Sequence, residues 1–172
     1  MNTLQRLKRI GKIGIVAMAL VVASCSDDDD NGGGGGTPDG YFLTAKVDGN
    51  NYSNSEFFEP SVIMQGNMLM IQSSNNSGDA FQIQIPNYNG VGTYNSGNND
   101  LTQGYINYSD MLTIPNMVSY TSVRGTGQVI ITEVSDTEIE GTFTATAIEN
   151  VENSTNDVAI TEGKFRVEIP QS

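Results

Sequence analysis

The chain has 172 residues, 20 of them acidic and 8 basic, giving a formal net charge of -12, with 19 glycines, no histidine, no tryptophan and one cysteine. Without histidine there is no Ser-His or Cys-His dyad and no imidazole ligand, and one cysteine makes neither an internal disulfide nor a thiolate cluster for zinc. Most catalytic and metal chemistry is excluded with them, and no cofactor is expected.

In chain order, residues 1–24 read as an export signal. Arg6, Lys8, Arg9 and Lys12 precede an uncharged apolar run over 13–23, the basic-then-apolar order of a secretory leader. Eleven residues fall short of the about 20 that a membrane-spanning helix needs. The run ends in Val22-Ala23-Ser24-Cys25, and Ser26 and four aspartates follow at once, so this thiol has nothing apolar beside it. The tetrapeptide resembles the lipobox of bacterial lipoproteins, which implies that Cys25 is acylated on its sulfur and becomes the first residue after cleavage. Each buried methylene contributes about 0.8 kcal/mol and two acyl chains anchor stably, so the expected partner of Cys25 is a membrane.

Residues 25–40 form the expected tether. Ser26 to Asn31, five glycines and Thr37-Pro38-Asp39-Gly40 carry no aliphatic or aromatic side chain, so nothing offsets the entropy of ordering them. Gly-rich statistics give a reach on the order of 20 Å. The block Cys25-Ser26-Asp27-Asp28-Asp29 is similar to the acidic export signal of surface lipoproteins in the Bacteroidetes, which implies an outer-membrane anchor facing the cell exterior. Loss of the leader leaves Lys46, Arg124, Lys164 and Arg166 against all 20 acids, a net charge of -16. Nucleic acid is therefore not an expected partner, because four scattered cations make no basic patch.

Residues 41–172 read as one all-β domain. Short runs rich in Val, Ile, Thr, Tyr and Phe alternate with Gly, Asn, Asp and Ser clusters, and no helical periodicity appears. Asp48-Gly49 joins strands at 41–47 and 51–56, and Gly66-Asn67 joins 62–65 and 68–72, both as two-residue hairpin turns. In 80–85, Phe81, Ile83 and Ile85 face one way and Gln82 and Gln84 the other, and Pro86 ends the run. Shorter strands are expected at 92–95, 103–108 and 118–123. Strands at 128–134 and 138–148 follow, the latter alternating cleanly between core and water. In the last strand, apolar parity changes from even at Val158 and Ile160 to odd at Phe165, Val167 and Ile169, which a bulge at Gly163 would reconcile. About ten short strands without helix predict an antiparallel two-sheet β-sandwich, with a β-barrel as the alternative.

The pattern Gly127-x-x-Ile130-Ile131-Thr132, Ile139-x-Gly141-Thr142-Phe143 and Ile160-Thr161-x-Gly163-Lys164-Phe165 resembles the C-terminal half of a domain of unknown function recurrent in Bacteroidetes lipoproteins. Residues 41–51 and Gly92-Thr93-Tyr94 are similar to that family's opening hairpin and middle. The resemblance implies a fold and an address but no chemistry.

Candidate chemistry is sparse. Glu138 and Glu140 lie about 6.5 to 7 Å apart on one strand face, near the separation used by inverting glycosidases. A flat strand with Lys164 and Arg166 across from them makes ordinary ion pairs the expected role. Asn75, Asn76 and Asp79, and Asn95, Asn98, Asn99 and Asp100, supply loop oxygens, but with one acid per cluster they are expected to form turns rather than a calcium site. Tyr94, Tyr105 and Tyr108, with Tyr88 and Tyr120 nearby in sequence, are candidate ligand contacts, since aromatic faces among amides suit a sugar. Met64, Met68 and Met70 are expected to fill the core. The expected function is a non-enzymatic, lipid-anchored surface module for binding or structure, with a glycan or an envelope protein as candidate partner. The alternatives are a small carbohydrate-active enzyme using a carboxylate pair and an accessory subunit of an outer-membrane complex.

Overall fold

A computed structural model describes residues 40–111 and 117–171. The leader, Cys25 and nearly all of the tether lie outside the described residues. Ten strands follow one another: β1 (Phe42–Val47), β2 (Asn50–Ser53), β3 (Ser61–Gln65), β4 (Met68–Ser74), β5 (Ala80–Ile85), β6 (Gly92–Gly97), β7 (Tyr105–Asp110), β8 (Val118–Val134), β9 (Glu138–Glu149) and β10 (Asp157–Glu168). All pairings are antiparallel, in the order β2-β1-β10-β9-β8-β7-β5-β4-β3, with β6 attached to β8.

Both expected hairpins form. Asp48 and Gly49 take φ of 49° and 81°, and Gly66 takes 59°, the positive angles that tight hairpin turns require. The first turn is also hooked to β10, where the Ala159 amide donates to Asp48 Oδ1 at 2.8 Å. In β10 the register slips between Ile160 and Gly163 with Glu162 at φ 53°. That bulge buries Val158 and Ile160 together with Phe165 and Val167, as the broken parity demanded.

The ladder does not divide into the two sheets expected. It is one hydrogen-bonded sheet that curls, so that Phe81 of β5 meets Tyr52 of β2 edge-on at 4.7 Å and Phe143 of β9 at 5.4 Å. The dividing point is β8. Its first part, Val118 to Thr121, pairs with β7, whereas Thr126 to Ile131 pairs with β6 on the same edge. The separate strands expected at 118–123 and 128–134 are thus one strand of 17 residues. The glycines that suggested a break act differently: a Cβ on Gly125 would lie 1.9 Å from the Thr146 carbonyl oxygen, so glycine here permits close approach to β9 and does not end a strand.

Leu43, Leu69, Ile71, Ile83, Ile85, Ile106, Ile139 and Ile160 are fully buried inside the curl. The methionines are not core residues. Leu69 and Ile71 occupy the inward positions of β4, so period two turns Met68 and Met70 outward, and Met64 near the end of edge strand β3 is 47% exposed.

Candidate functional site

Because β4, β5 and β7 bury Ile71 and Ser73, Phe81 and Ile83, and Ile106 and Tyr108, their intervening residues stand on the outer face. Register aligns these into rows. Gln72, Gln82, Asn107 and Thr121 lie directly opposite one another across β4, β5, β7 and β8, and Ser74, Ala80, Ser109 and Ser119 form the next row. These rows floor a groove of about 700 Å³, bounded by Phe58 and Glu59 from the β2–β3 loop and by Asn150 after β9.

The floor is partly tied together and partly free. Asn107 Nδ2 donates to Gln82 Oε1 at 3.3 Å, and Gln82 Nε2 donates to Met70 Sδ at 3.5 Å. The hydroxyls of Ser109 and Ser119 are 3.1 Å apart. The side chains of Gln72, Ser74 and Asn150 have no hydrogen-bond partner among the described residues. Among the described residues Glu59 is the only charged one lining the groove, although the chain as a whole carries 20 acids.

Both walls are built structures. Asn54 Oδ1 accepts from the Leu43 amide at 3.0 Å, and its Nδ2 donates to the carbonyls of Ser55 at 3.1 Å and Phe58 at 3.4 Å. Ser55 Oγ donates to Asn76 Oδ1 at 2.6 Å and accepts from the Phe57 amide at 3.1 Å, while the Ser55 amide donates to Ser74 O at 2.9 Å. This turn holds Phe57 and Phe58 at 81% and 68% exposure. Each forgoes about 1.5 to 3 kcal/mol of burial, an unusual use of a well-braced turn. On the other side, the Arg124 guanidinium donates to the carbonyls of Glu149 and Val151, and to that of Ser154 at 3.3 Å. Hydrogen bonds from Ser154 and Asn156, and then the Arg124 charge, hold the Glu149 carboxyl below its ordinary range.

Of the tyrosines singled out in the sequence, only Tyr105 stands on this outer face, one row beyond the amides, with its hydroxyl donating to Gln84 Oε1. Tyr94 is engaged in a turn, donating to Gly90 O at 2.7 Å and accepting from the Asn89 amide at 3.0 Å. Tyr108 is buried against Phe81, and burial followed by the Asp79 charge raises its hydroxyl pKa. Of the other two, Tyr120 reaches the groove wall, whereas Tyr88 packs beside Tyr94 at 6.2 Å.

The carboxylate pair lies along β9, with Glu133 of β8 opposite Glu140. Glu140 Oε1 accepts from Arg166 Nε at 2.6 Å, as cross-strand pairing predicted, but Lys164 stands opposite Thr142, and Glu168 opposite Glu138. The Asn/Asp clusters are spent on turns and neighbouring strands: Asn76 accepts from Ser55, Asp79 Oδ1 from the Met111 amide at 3.2 Å, and Asn95, which lies in β6 and not in a loop, accepts from Gln128 Nε2 at 3.0 Å. Asn75 Oδ1 accepts from the amides of Ser77 and Asp79, each at 2.9 Å, and Asp100 Oδ1 accepts from the Thr102 amide at 2.8 Å and hydroxyl at 2.6 Å. Among the described residues no group of three or more acidic or thiol side chains is placed to hold a metal ion.

Sequence reasoning missed Phe58, Gln72 and Asn107. Gln82 was legible as outward-facing, but its neighbours follow only from a strand order that places β7 rather than β6 beside β5.

The fold and the groove define an all-β domain with one curled antiparallel sheet and, on its outer face, a mostly polar groove with Glu59 at its rim. Residues 42–170 match the family described as Domain of unknown function (DUF6252), and the chain belongs to that family. No curated protein matches it, nor does any solved structure.

Proposed function

We propose that the chain is a non-enzymatic lipoprotein of a Bacteroidetes outer membrane, anchored through acyl chains on Cys25, facing the cell exterior, and binding a ligand in the groove beside Phe58. The observation that carries the binding role is the groove itself: a braced, exposed aromatic at the rim of a floor of half-buried amides with unused hydrogen-bonding groups. A pocket of several hundred Å³ with a few convergent polar groups is the usual form of a ligand site. The single carboxylate lining it among the described residues supports binding rather than acid-base hydrolysis, which needs two. The lipobox-like Val22-Ala23-Ser24-Cys25 and the aspartates behind it support the address.

Two measurements test this reading. Cys25→Ala should move the chain from the membrane to the soluble fraction, and retention on salt-washed membranes defeats the anchor. A cell-envelope extract should raise the melting temperature of the detergent-solubilised chain but not that of a Phe58→Ala/Gln72→Ala variant, since a ligand that binds only the folded state stabilises it. Absence of any shift defeats the binding role. A second reading, an accessory subunit of an outer-membrane complex, is favoured by edge strand β3, where Ile63 and Met64 are 45% and 47% exposed. Crosslinking from a cysteine placed at Met64 should then capture one specific envelope protein.

A further inference from the structure

Resting on the binding role above, the geometry points to a neutral oligosaccharide as the occupant of the groove, stacked on Phe58 and hydrogen-bonded to the row of amides. The chemistry of the floor carries this. Gln72, Asn107 and Asn150 each offer a donor and an acceptor on one side chain, and Ser74 offers both at one oxygen. The best answer to such a surface is a ligand whose groups also donate and accept, as every sugar hydroxyl does. A peptide strand presents its N–H and C=O groups separately and finds its complement at a free sheet edge, not across the side chains of a sheet face.

Charge narrows the class further. Among the described residues no Lys or Arg lines the groove, so an anionic ligand would find no counter-charge there and would meet Glu59 at the rim. A cationic ligand would find only that one exposed carboxylate, a pairing of small worth in water. Size agrees with an extended occupant, because the row from Gln72 to Thr121 crosses three inter-strand spacings, about 14 Å. Phe58, held in place through Asn54 and Ser55, supplies a flat apolar surface for the C–H face of a sugar ring. The amides of Gln82 and Asn107 are already fixed on each other, which lowers the ordering cost of binding.

The test is an array of neutral and acidic glycans probed with the detergent-solubilised chain purified from membranes. At least one neutral glycan should be bound, and uronic-acid and sulfated glycans should not. Phe58→Ala and the double variant Gln72→Ala/Asn107→Ala should each weaken that binding about tenfold or more, with melting temperatures near that of the parent. Silence toward every neutral glycan, preference for acidic ones, or binding that survives both variants overturns the assignment. If the array is silent while the envelope extract still raises the melting temperature, the sugar assignment falls and the groove remains a site for another ligand. If both are silent, the binding role falls with it.

Discussion

Tyr52 ties the first hairpin to the core through both of its chemistries. Its ring meets Phe81 edge-on at 4.7 Å, and its hydroxyl is 3.0 Å from Ser73 Oγ. Burial pushes its pKa up to about 12 from the ordinary 10.0. The unfolded chain therefore gives up this proton near pH 10 while the folded chain keeps it, so the stabilisation is complete below pH 10 and is lost as pH rises toward 12. Tyr52→Phe should cost about 1 kcal/mol at pH 8, by leaving the buried Ser73 hydroxyl unpaired. The difference should shrink between pH 10 and 12 in urea unfolding; parallel pH profiles for the two proteins would show that Tyr52 is not the titrating group. Residue chemistry also explains the glycine and phenylalanine pattern that was legible in the sequence but not interpretable there. Gly141 pairs with Phe165 and Gly163 with Phe143, and a Cβ on either glycine would lie within 2.7 Å of the opposing ring. Each glycine makes the space that the phenylalanine across from it fills, which is why the two recur together.

Hairpins were readable because a two-residue turn announces itself locally, as Asp48-Gly49 and Gly66-Asn67 do. The bulge of β10 was readable because apolar parity breaks in one place. Element ends governed by distant partners were not, and β8 is the example, since its continuity depends on contact with β9 rather than on its own residues. The bulge itself is testable. Glu162 holds a left-handed conformation, at roughly 1 to 2 kcal/mol for a residue with a side chain, and pairs with Lys46 at 2.7 Å across exposed surface. Such a pair contributes about 0 to 1 kcal/mol, and glycine adds about 0.5 to 1 kcal/mol of backbone entropy to be lost on folding. Glu162→Gly should thus leave stability within about 1 kcal/mol of the parent, whereas Glu162→Val, branched at Cβ, should destabilise by more than about 1 kcal/mol. Equal losses for the two variants in urea unfolding would mean that the ion pair, not the backbone, sets the bulge.

On the scale of the molecule, the all-β class was legible and the closure was not. Alternation identifies which residues face inward but is silent on whether strands join one sheet or two. The groove shares that limitation, because its floor is assembled from β4, β5, β7 and β8, with β6 carried away to another part of β8. The address has its own test: replacing Asp27, Asp28, Asp29 and Asp30 with alanine should leave the chain membrane-bound but shield it from protease added to intact cells, and unchanged cleavage would defeat the export role of these acids. A last consequence follows from β1 lying between β2 and β10, with Leu43 opposite Phe165. Strand β1 waits for β10 before its second edge is filled, so the loop to be closed is nearly the whole described domain, and such long-range topology slows folding. A domain whose architecture stays open until β10 arrives keeps the inner edge of β1 unpaired while the intervening strands form.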